Sequence, residues 1–382
     1  MSKRKVRVGI LGNGDVKNFF SNGLHQNSWY LAKMLDKSPA IEVTYYAQKS
    51  QITAEHIYGI KVEPYSDKVH REDALFCTSY YPGGGDMEAL KKNNVKIIIT
   101  HYGNHFYYHI EDFINYSSIM RDTMELWPRK YKPNEKPDIV LYSPHFDDQR
   151  QYFAFGEDLP IEKVQECPYI WSPHFLIQNI KNGTKSLSEF QFNKEDPKNK
   201  HVVMMESNLS FTKTNFVPIM AAEALHDEDK DSYEHAWIFG MEKIKKHEEA
   251  NKLRNSLCEF KAVKNGTMSF EDRYTLPFIL SKGRVLLSHQ VMNALNYIYL
   301  EFAYFRLPFV HNSNMIGDAG YYYEKNNVID AKEQLKSALV HSELSESEVK
   351  LYNDQCKELL WKHSIDNPVN LTGYLKLIQS VL

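Results

Sequence analysis

A cation, several amides and hydroxyls, and an acid recur in the second half of this sequence, each close to a short apolar run. They are Lys213; Asn208, Asn296 and Asn312; Ser210 and Ser313; and Glu301. Lys213 can neutralise a diphosphate, and a carboxylate such as Glu301 can accept two hydrogen bonds from a ribose diol. The set suits a nucleotide diphosphate. Each residue also has a structural alternative, since Asn can cap a helix and Glu can pair with a nearby Lys or Arg. In the first half, His101, Asn104 and His105 close the apolar run Val95–Thr100. A histidine can act as general base toward an acceptor hydroxyl because its ordinary pKa lies near neutrality. A satisfied core or loop histidine is the alternative.

The elements that must position these groups alternate between strand and helix. Val6–Leu11 reads as a first strand, Gly12-Asn13-Gly14 as a loop, about Ser28 to Leu35 as a helix and Ile41–Ala47 as a second strand. That is a Rossmann-like opening. Leu75–Tyr80, Val95–Thr100 and Pro137–Tyr142 are further strands, with a short helix over Asp86–Lys92. Val164–Phe175 holds two prolines and no period, which marks a crossing between domains. Then come strands His201–Met205 and Ala236–Gly240, and helices Phe216–His226, Glu242–Ser256 and Phe270–Ser281.

Gly283–Tyr323 is the most informative stretch. Strand Val285–Leu287, turn Ser288-His289-Gln290, a helix through Met292, Leu295, Ile298, Tyr299 and Phe302, and strand Leu307–Val310 make half of a doubly wound domain. Such sheets bind ligands at the carboxyl ends of their strands. Two or three helices follow from Ala331. The fold class is therefore α/β, with two Rossmann-like domains facing a cleft. Residues 1–170 form the first, 171–370 the second, and 371–382 a terminal helix that packs back on the first.

Composition narrows the function classes. With 382 residues, about 150 per domain suggests two domains. A formal net charge of −3 excludes a general polyanion binder. Nucleic-acid contact would need a local basic patch, such as Lys3-Arg4-Lys5 or Arg129-Lys130-Tyr131-Lys132. Four scattered cysteines without a CxxC argue against a zinc site and fit a reducing compartment. No apolar signal or membrane-length run is present, so a cytoplasmic location is expected.

A nicotinamide enzyme is disfavoured. Lys17 stands where the third fingerprint glycine belongs, and the second strand ends in Ala47-Gln48-Lys49 without a ribose-holding acid. The glycine loop still suits approach of phosphates to backbone N–H groups. Asp227–Asp231 is not a calcium loop, because Ser232 and Ile238 occupy its glycine and glutamate positions. No D-x-D metal site follows a buried strand.

The run Asn293-x-x-Asn296-Tyr297-x-Tyr299-Leu300-Glu301, followed by Leu307–Ser313, resembles the donor domain of GT-B glycosyltransferases. More closely, the chain resembles a bacterial and phage family of glycosyltransferase-like proteins catalogued as a domain of unknown function. The motifs are Asn22–Asn27, Pro168–Pro173, Glu206–Lys213, Ser288–Gln290 and Asp318–Tyr323, in order along most of the chain. Tyr299–Ala303 with Leu307–Val310 is also similar to a segment of the DNA α-glucosyltransferases of T-even phages.

These resemblances imply a UDP-sugar as donor substrate, no permanently bound cofactor and no metal. Glu301 would hold the ribose. The donor would lie between Glu206, Asn208, Ser210 and Lys213 on one side and His289, Asn293, Asn296, Tyr297, His311, Asn312 and Ser313 on the other. Gly23, Gln26 and Asn27 would close over the diphosphate. His101 or His105 would be the base, with Asp147 or Asp148 as alternative carboxylates. The implied acceptor is 5-hydroxymethylcytosine in double-stranded phage DNA, taking glucose or arabinose. A cell-surface glycan or lipid acceptor, or a non-catalytic nucleotide-sugar-binding protein, are the other readings.

Overall fold

The computed structural model describes residues 4–20, 23–66, 69, 71–78, 80–115, 131–132, 134–183, 185–242 and 251–382. Lys3, Asn22, Arg129 and Lys130 and most of the expected helix from Glu242 lie outside them. The chain divides into two units, Met1–Phe175 with Trp361–Leu382, and Leu176–Leu360.

The first unit is built on β1 (Val6–Leu11), β2 (Ile41–Ala47), β3 (His56–Ile57), β4 (Ile60–Pro64), β5 (Ala74–Cys77), β6 (Lys96–His101), β7 (Ile139–Tyr142) and β8 (Val164–Glu166). They lie in the order β3-β4-β2-β1-β5-β6-β7-β8. Only the β3–β4 pair is antiparallel. Strands covered on both faces become continuous apolar runs, and Ile97, Ile98 and Ile99 of β6 are all buried. One core joins Leu75, Ile97, Ile99 and Val140 to Leu90 of α2 (Gly84–Lys92) and Phe153 of α4 (Arg150–Gly156). The terminal segment belongs to this unit: Tyr374 Oη donates to Pro168 O at 3.1 Å, and Trp171 N to His363 O at 2.7 Å.

In the second unit, β9 (His201–Met204), β10 (His235–Ile238), β11 (Met268–Phe270), β12 (Val285–Leu287), β13 (Phe309–His311) and β14 (Tyr321–Tyr322) run in the order β11-β10-β9-β12-β13-β14. Every pair is parallel. Val202, Met204, Val285, Leu287 and Val310 pack with Ala221, Ala222 and Leu225 of helix Phe216–Glu228 and with Ala331, Leu335 and Ala338. Both sheets reverse direction beside their first strand, between β1 and β5 and between β9 and β12. In doubly wound sheets this switch point is where ligands bind.

Several elements differ from expectation for local reasons. Helix α1 spans Gly23–Leu35, so Gly23, Gln26 and Asn27 are helical rather than in a loop. His105 opens an unexpected helix, α3 (His105–Asn115), hidden by its aromatic density. Phe270 ends β11, and the following helix starts at Leu276 with Pro277 in its first turn, where a missing N–H costs nothing. The helix expected from Met292 begins at Tyr297, because Met292 has φ 51° and Asn296 is the cap. No described helix is long and apolar enough to cross a membrane.

Candidate functional site

At the switch point of the second unit, Glu206 follows β9 and Ser288-His289-Gln290 follow β12. Glu206 is 4% exposed. Ser288 Oγ donates to its Oε1, and Gln290 Nε2 lies 3.2 and 3.1 Å from Oε1 and Oε2. Tyr299 Oη stands 3.0 Å from Ser288 Oγ, whose own proton is given to Glu206, so Tyr299 is the donor there. Asn293 Nδ2 donates to Gln290 Oε1. Burial raises the Glu206 pKa, while the Ser288 and Gln290 hydrogen bonds and the Lys213 charge oppose the rise. Glu206 therefore fastens the loop after β9 to the loop after β12 and is spent on protein donors.

The loop after β9 is wound on its own amides. Asn208, at φ 51°, sends Nδ2 to the carbonyls of Glu206 and Gly240, each at 3.2 Å, and accepts from Asn215 N at 2.8 Å. Gly240 has φ 76°, and a Cβ there would lie 2.7 Å from Glu206 O. Ser210 Oγ pairs with Thr212 Oγ1 at 2.9 Å. Lys213 is bridged through its backbone to Ser210 and Gln290. Its half-buried ammonium has no hydrogen bond or ion pair among the described residues. Burial lowers its pKa, Glu206 raises it and Arg273 lowers it.

Helix Tyr297–Phe305 carries Glu301. Asn296 caps it, accepting from Ile298 N at 3.3 Å, and half-buried Tyr297 begins it. The half-buried Glu301 carboxyl likewise has no hydrogen bond or ion pair among the described residues. Burial pushes its pKa up to about 7.

The remaining expected donor residues hold the frame. His289 Nδ1 donates to Tyr323 Oη at 2.9 Å, and that hydroxyl donates to Ser288 O at 2.9 Å. His311 Nε2 donates to Ala319 O at 2.7 Å, and its Nδ1 accepts from Ser313 N at 3.2 Å. Burial lowers both histidines to about 4. Asn312 grips the Gln290 backbone, accepting from its N at 3.0 Å and donating to its O at 2.8 Å. Ser313 Oγ donates to Ala294 O.

In the first unit the switch-point loop is packed shut. A Cβ at Gly12 would collide with the Tyr45 hydroxyl, and one at Gly14 would sit 2.8 Å from Ala47 Cβ. Tyr45 Oη donates to Asn13 O at 3.1 Å. These glycines admit Tyr45 and Ala47, a packing reason for glycine at both positions. Gln26 Nε2 donates to Phe19 O at 2.7 Å, its Oε1 accepts from Tyr30 Oη at 3.2 Å, and Asn27 is buried.

Chemistry in this unit gathers at the end of β6. His101 is 0% exposed, and its Nε2 lies 3.0 Å from Oε1 of equally buried Glu157. Phe153 stacks on His101 at 4.7 Å, and half-buried His105 meets it edge-on at 4.6 Å. Asp147 and Asp148 accept from Tyr142 Oη at 2.6 Å and Tyr107 Oη at 3.2 Å. Sequence reasoning missed Gln290 as a partner of Glu206 and Tyr299 as a partner of Ser288, and missed Glu157 entirely. No spacing or period signals any of them. Among the described residues no three His, Cys, Asp or Glu side chains converge as a metal site.

Two Rossmann-like domains of this kind define the GT-B glycosyltransferase architecture. The fold is similar to a glycosyltransferase from Rickettsia africae ESF-5, with TM-score 0.58, 12% identity and 99% of both chains covered. Anabaena HepE in complex with UDP gives 0.53 at 10% identity, covering 99% of this chain and 100% of that one. WaaG, a glycosyltransferase involved in lipopolysaccharide biosynthesis, gives 0.53 at 14%, covering 98% and 99%. No curated protein matches the sequence. Residues 6–378 match the family described as "Protein of unknown function (DUF2827)", and the chain belongs to that family.

Proposed function

We propose that this chain is a glycosyltransferase that moves a sugar from a UDP-sugar to an acceptor hydroxyl. The observation that carries this reading is a pair of half-buried charged side chains in the second unit, Lys213 and Glu301, neither with a hydrogen bond or ion pair among the described residues. A nucleoside diphosphate offers a phosphate to the one and a ribose diol to the other. Structures of HepE, a protein of similar fold, hold UDP-glucose and UDP. As the acceptor oxygen bonds to the anomeric carbon, the bond from that carbon to the diphosphate oxygen breaks. The electron pair leaves with UDP, stabilised by Lys213. The hydroxyl proton passes to His105, the more exposed of the two candidate histidines.

The sequence resemblance to phage enzymes makes 5-hydroxymethylcytosine in DNA the acceptor, and glucose or arabinose the sugar. A surface glycan or lipid is the second reading. It is favoured by the likeness to WaaG and by basic groups already paired, Arg4 with Asp73 and Lys132 with Glu135.

The test combines thermal shift with transfer. UDP, UDP-glucose and UDP-arabinose at 100 times their Kd should each add about 2.7 kcal/mol of stability. Labelled sugar should then enter hydroxymethylated duplex DNA. Label entering only a glycolipid fraction selects the second acceptor. Absence of stabilisation by every UDP species overturns the transferase reading.

A further inference from the structure

We propose that Glu157, acting through His101, positions the His105 imidazole. The role of His105 rests on the transferase reading above; the positioning is tested without it.

His101 and Glu157 are both 0% exposed, so neither can touch a substrate. They are nonetheless joined at 3.0 Å, and the other carboxylate oxygen accepts from Tyr131 Oη at 2.5 Å. An imidazole that gives Nε2–H to a carboxylate has its tautomer and ring plane fixed, with Nδ1 left as the basic nitrogen. Phe153 closes one face of the ring at 4.7 Å and an interplanar angle of 15°. His105 is set edge-on, 4.6 Å away at 66°, and Phe153 also borders it at 6.1 Å. The start of α3 that carries His105 is pinned by Gln149. Its Oε1 accepts from Phe106 N at 3.2 Å, and its Nε2 donates to Asn104 Oδ1 at 2.8 Å. Of the three groups in line, Glu157, His101 and His105, His105 is the partly exposed one. Nucleophile, base and orienting acid are arranged by the same logic in other enzymes.

The charge of Glu157 also bears on His105. An ionised carboxylate one imidazole away favours a proton on His105, whereas a neutral amide in its place does not. The other polar groups around the two rings are His109, whose ring lies 6.3 Å from that of His105, Tyr81, Tyr131, Tyr152, and Glu111 and Asp112 of α3. Burial lowers the His109 pKa, Asp112 opposes that shift and His101 adds to it.

The experiment follows histidine ring nitrogens of the full chain by NMR across pH, in the native sequence, Glu157→Gln and Glu157→Asp. Glu157→Gln should lower the His105 titration midpoint by about one unit, and Glu157→Asp should restore most of it. With an active donor–acceptor pair, kcat of Glu157→Gln should fall about 10- to 100-fold, while its Kd for UDP stays within about twofold. Should Glu157→Gln fail to fold, Tyr131→Phe, which removes only the hydroxyl on Oε2, should move the same midpoint by a smaller amount. A His105 midpoint and tautomer unchanged in a folded Glu157→Gln overturn the proposal. Loss of UDP binding by the native chain would sink the transferase reading alone, because the NMR midpoints do not depend on it.

Discussion

The two units each have a switch point beside their first strand and treat it in opposite ways. Beside β1 the loop is filled by protein: Tyr45 occupies the space that Gly12 leaves, and Ala47 stands behind Gly14. Beside β9 the loop is wound on its own amides and leaves Lys213 without a hydrogen-bond or ion-pair partner among the described residues. A switch point of the same kind thus carries a loop filled by protein in one unit and a loop with a half-buried cation in the other. A fold supplies the crevice, and the side chains beside it decide whether a ligand can use it.

The largest expected effects come from exchanging substitutions between these two loops. Lys213→Ala should weaken UDP binding about 100-fold, the worth of a charge-assisted contact in a dry site, and leave the melting temperature near its native value. Gly12→Ala should do the reverse. Overpacking against Tyr45 costs about 1–3 kcal/mol, a loss of several degrees, with UDP affinity retained. Calorimetry and thermal unfolding on both variants read this contrast, and a Gly12→Ala protein that melts normally but loses UDP would break it.

A smaller effect sharpens the role of Glu301. Its carboxyl titrates near 7 because burial disfavours the charge. The ionised form accepts from a ribose diol, so UDP affinity should rise about tenfold from pH 6 to pH 8, and Glu301→Gln should flatten that dependence. The linkage for stability has the opposite sign. A carboxyl raised in the folded state stabilises below its unfolded pKa, and that contribution is lost as pH climbs through about 7. A UDP affinity independent of pH in the native chain would remove Glu301 from the ribose.

The smallest effect concerns the frame common to the whole chain. His289, His311, His341 and His363 are each lowered to about 4 by burial. Between about 6.5 and 4 the unfolded chain binds protons that the folded chain refuses, so these groups favour unfolding as the pH falls. His311→Asn should make the melting temperature less sensitive to pH across that window. An unchanged slope would show that His311 is not part of the acid response.

Much of the fold was legible because parallel strands are buried on both faces. Val6–Leu11, Ile41–Ala47 and Val285–Leu287 appear in the structure with the bounds their apolar runs suggest. The polar runs that follow strands were also legible, Glu206–Lys213 after β9 and His101–His105 at the end of β6 among them. What each polar side chain faces was not. Ser288 meets Glu206 across 82 residues and His101 meets Glu157 across 56, separations at which no local pattern exists. The sequence by itself determined residue types and strand periods, because both follow from local sterics and burial. Tertiary structure alone decided that Glu206, Asn208, Asn296 and Asn312 are consumed by protein hydrogen bonds while Lys213 and Glu301 have no hydrogen bond or ion pair among the described residues. A buried polar group takes whichever partner the fold brings within about 3 Å.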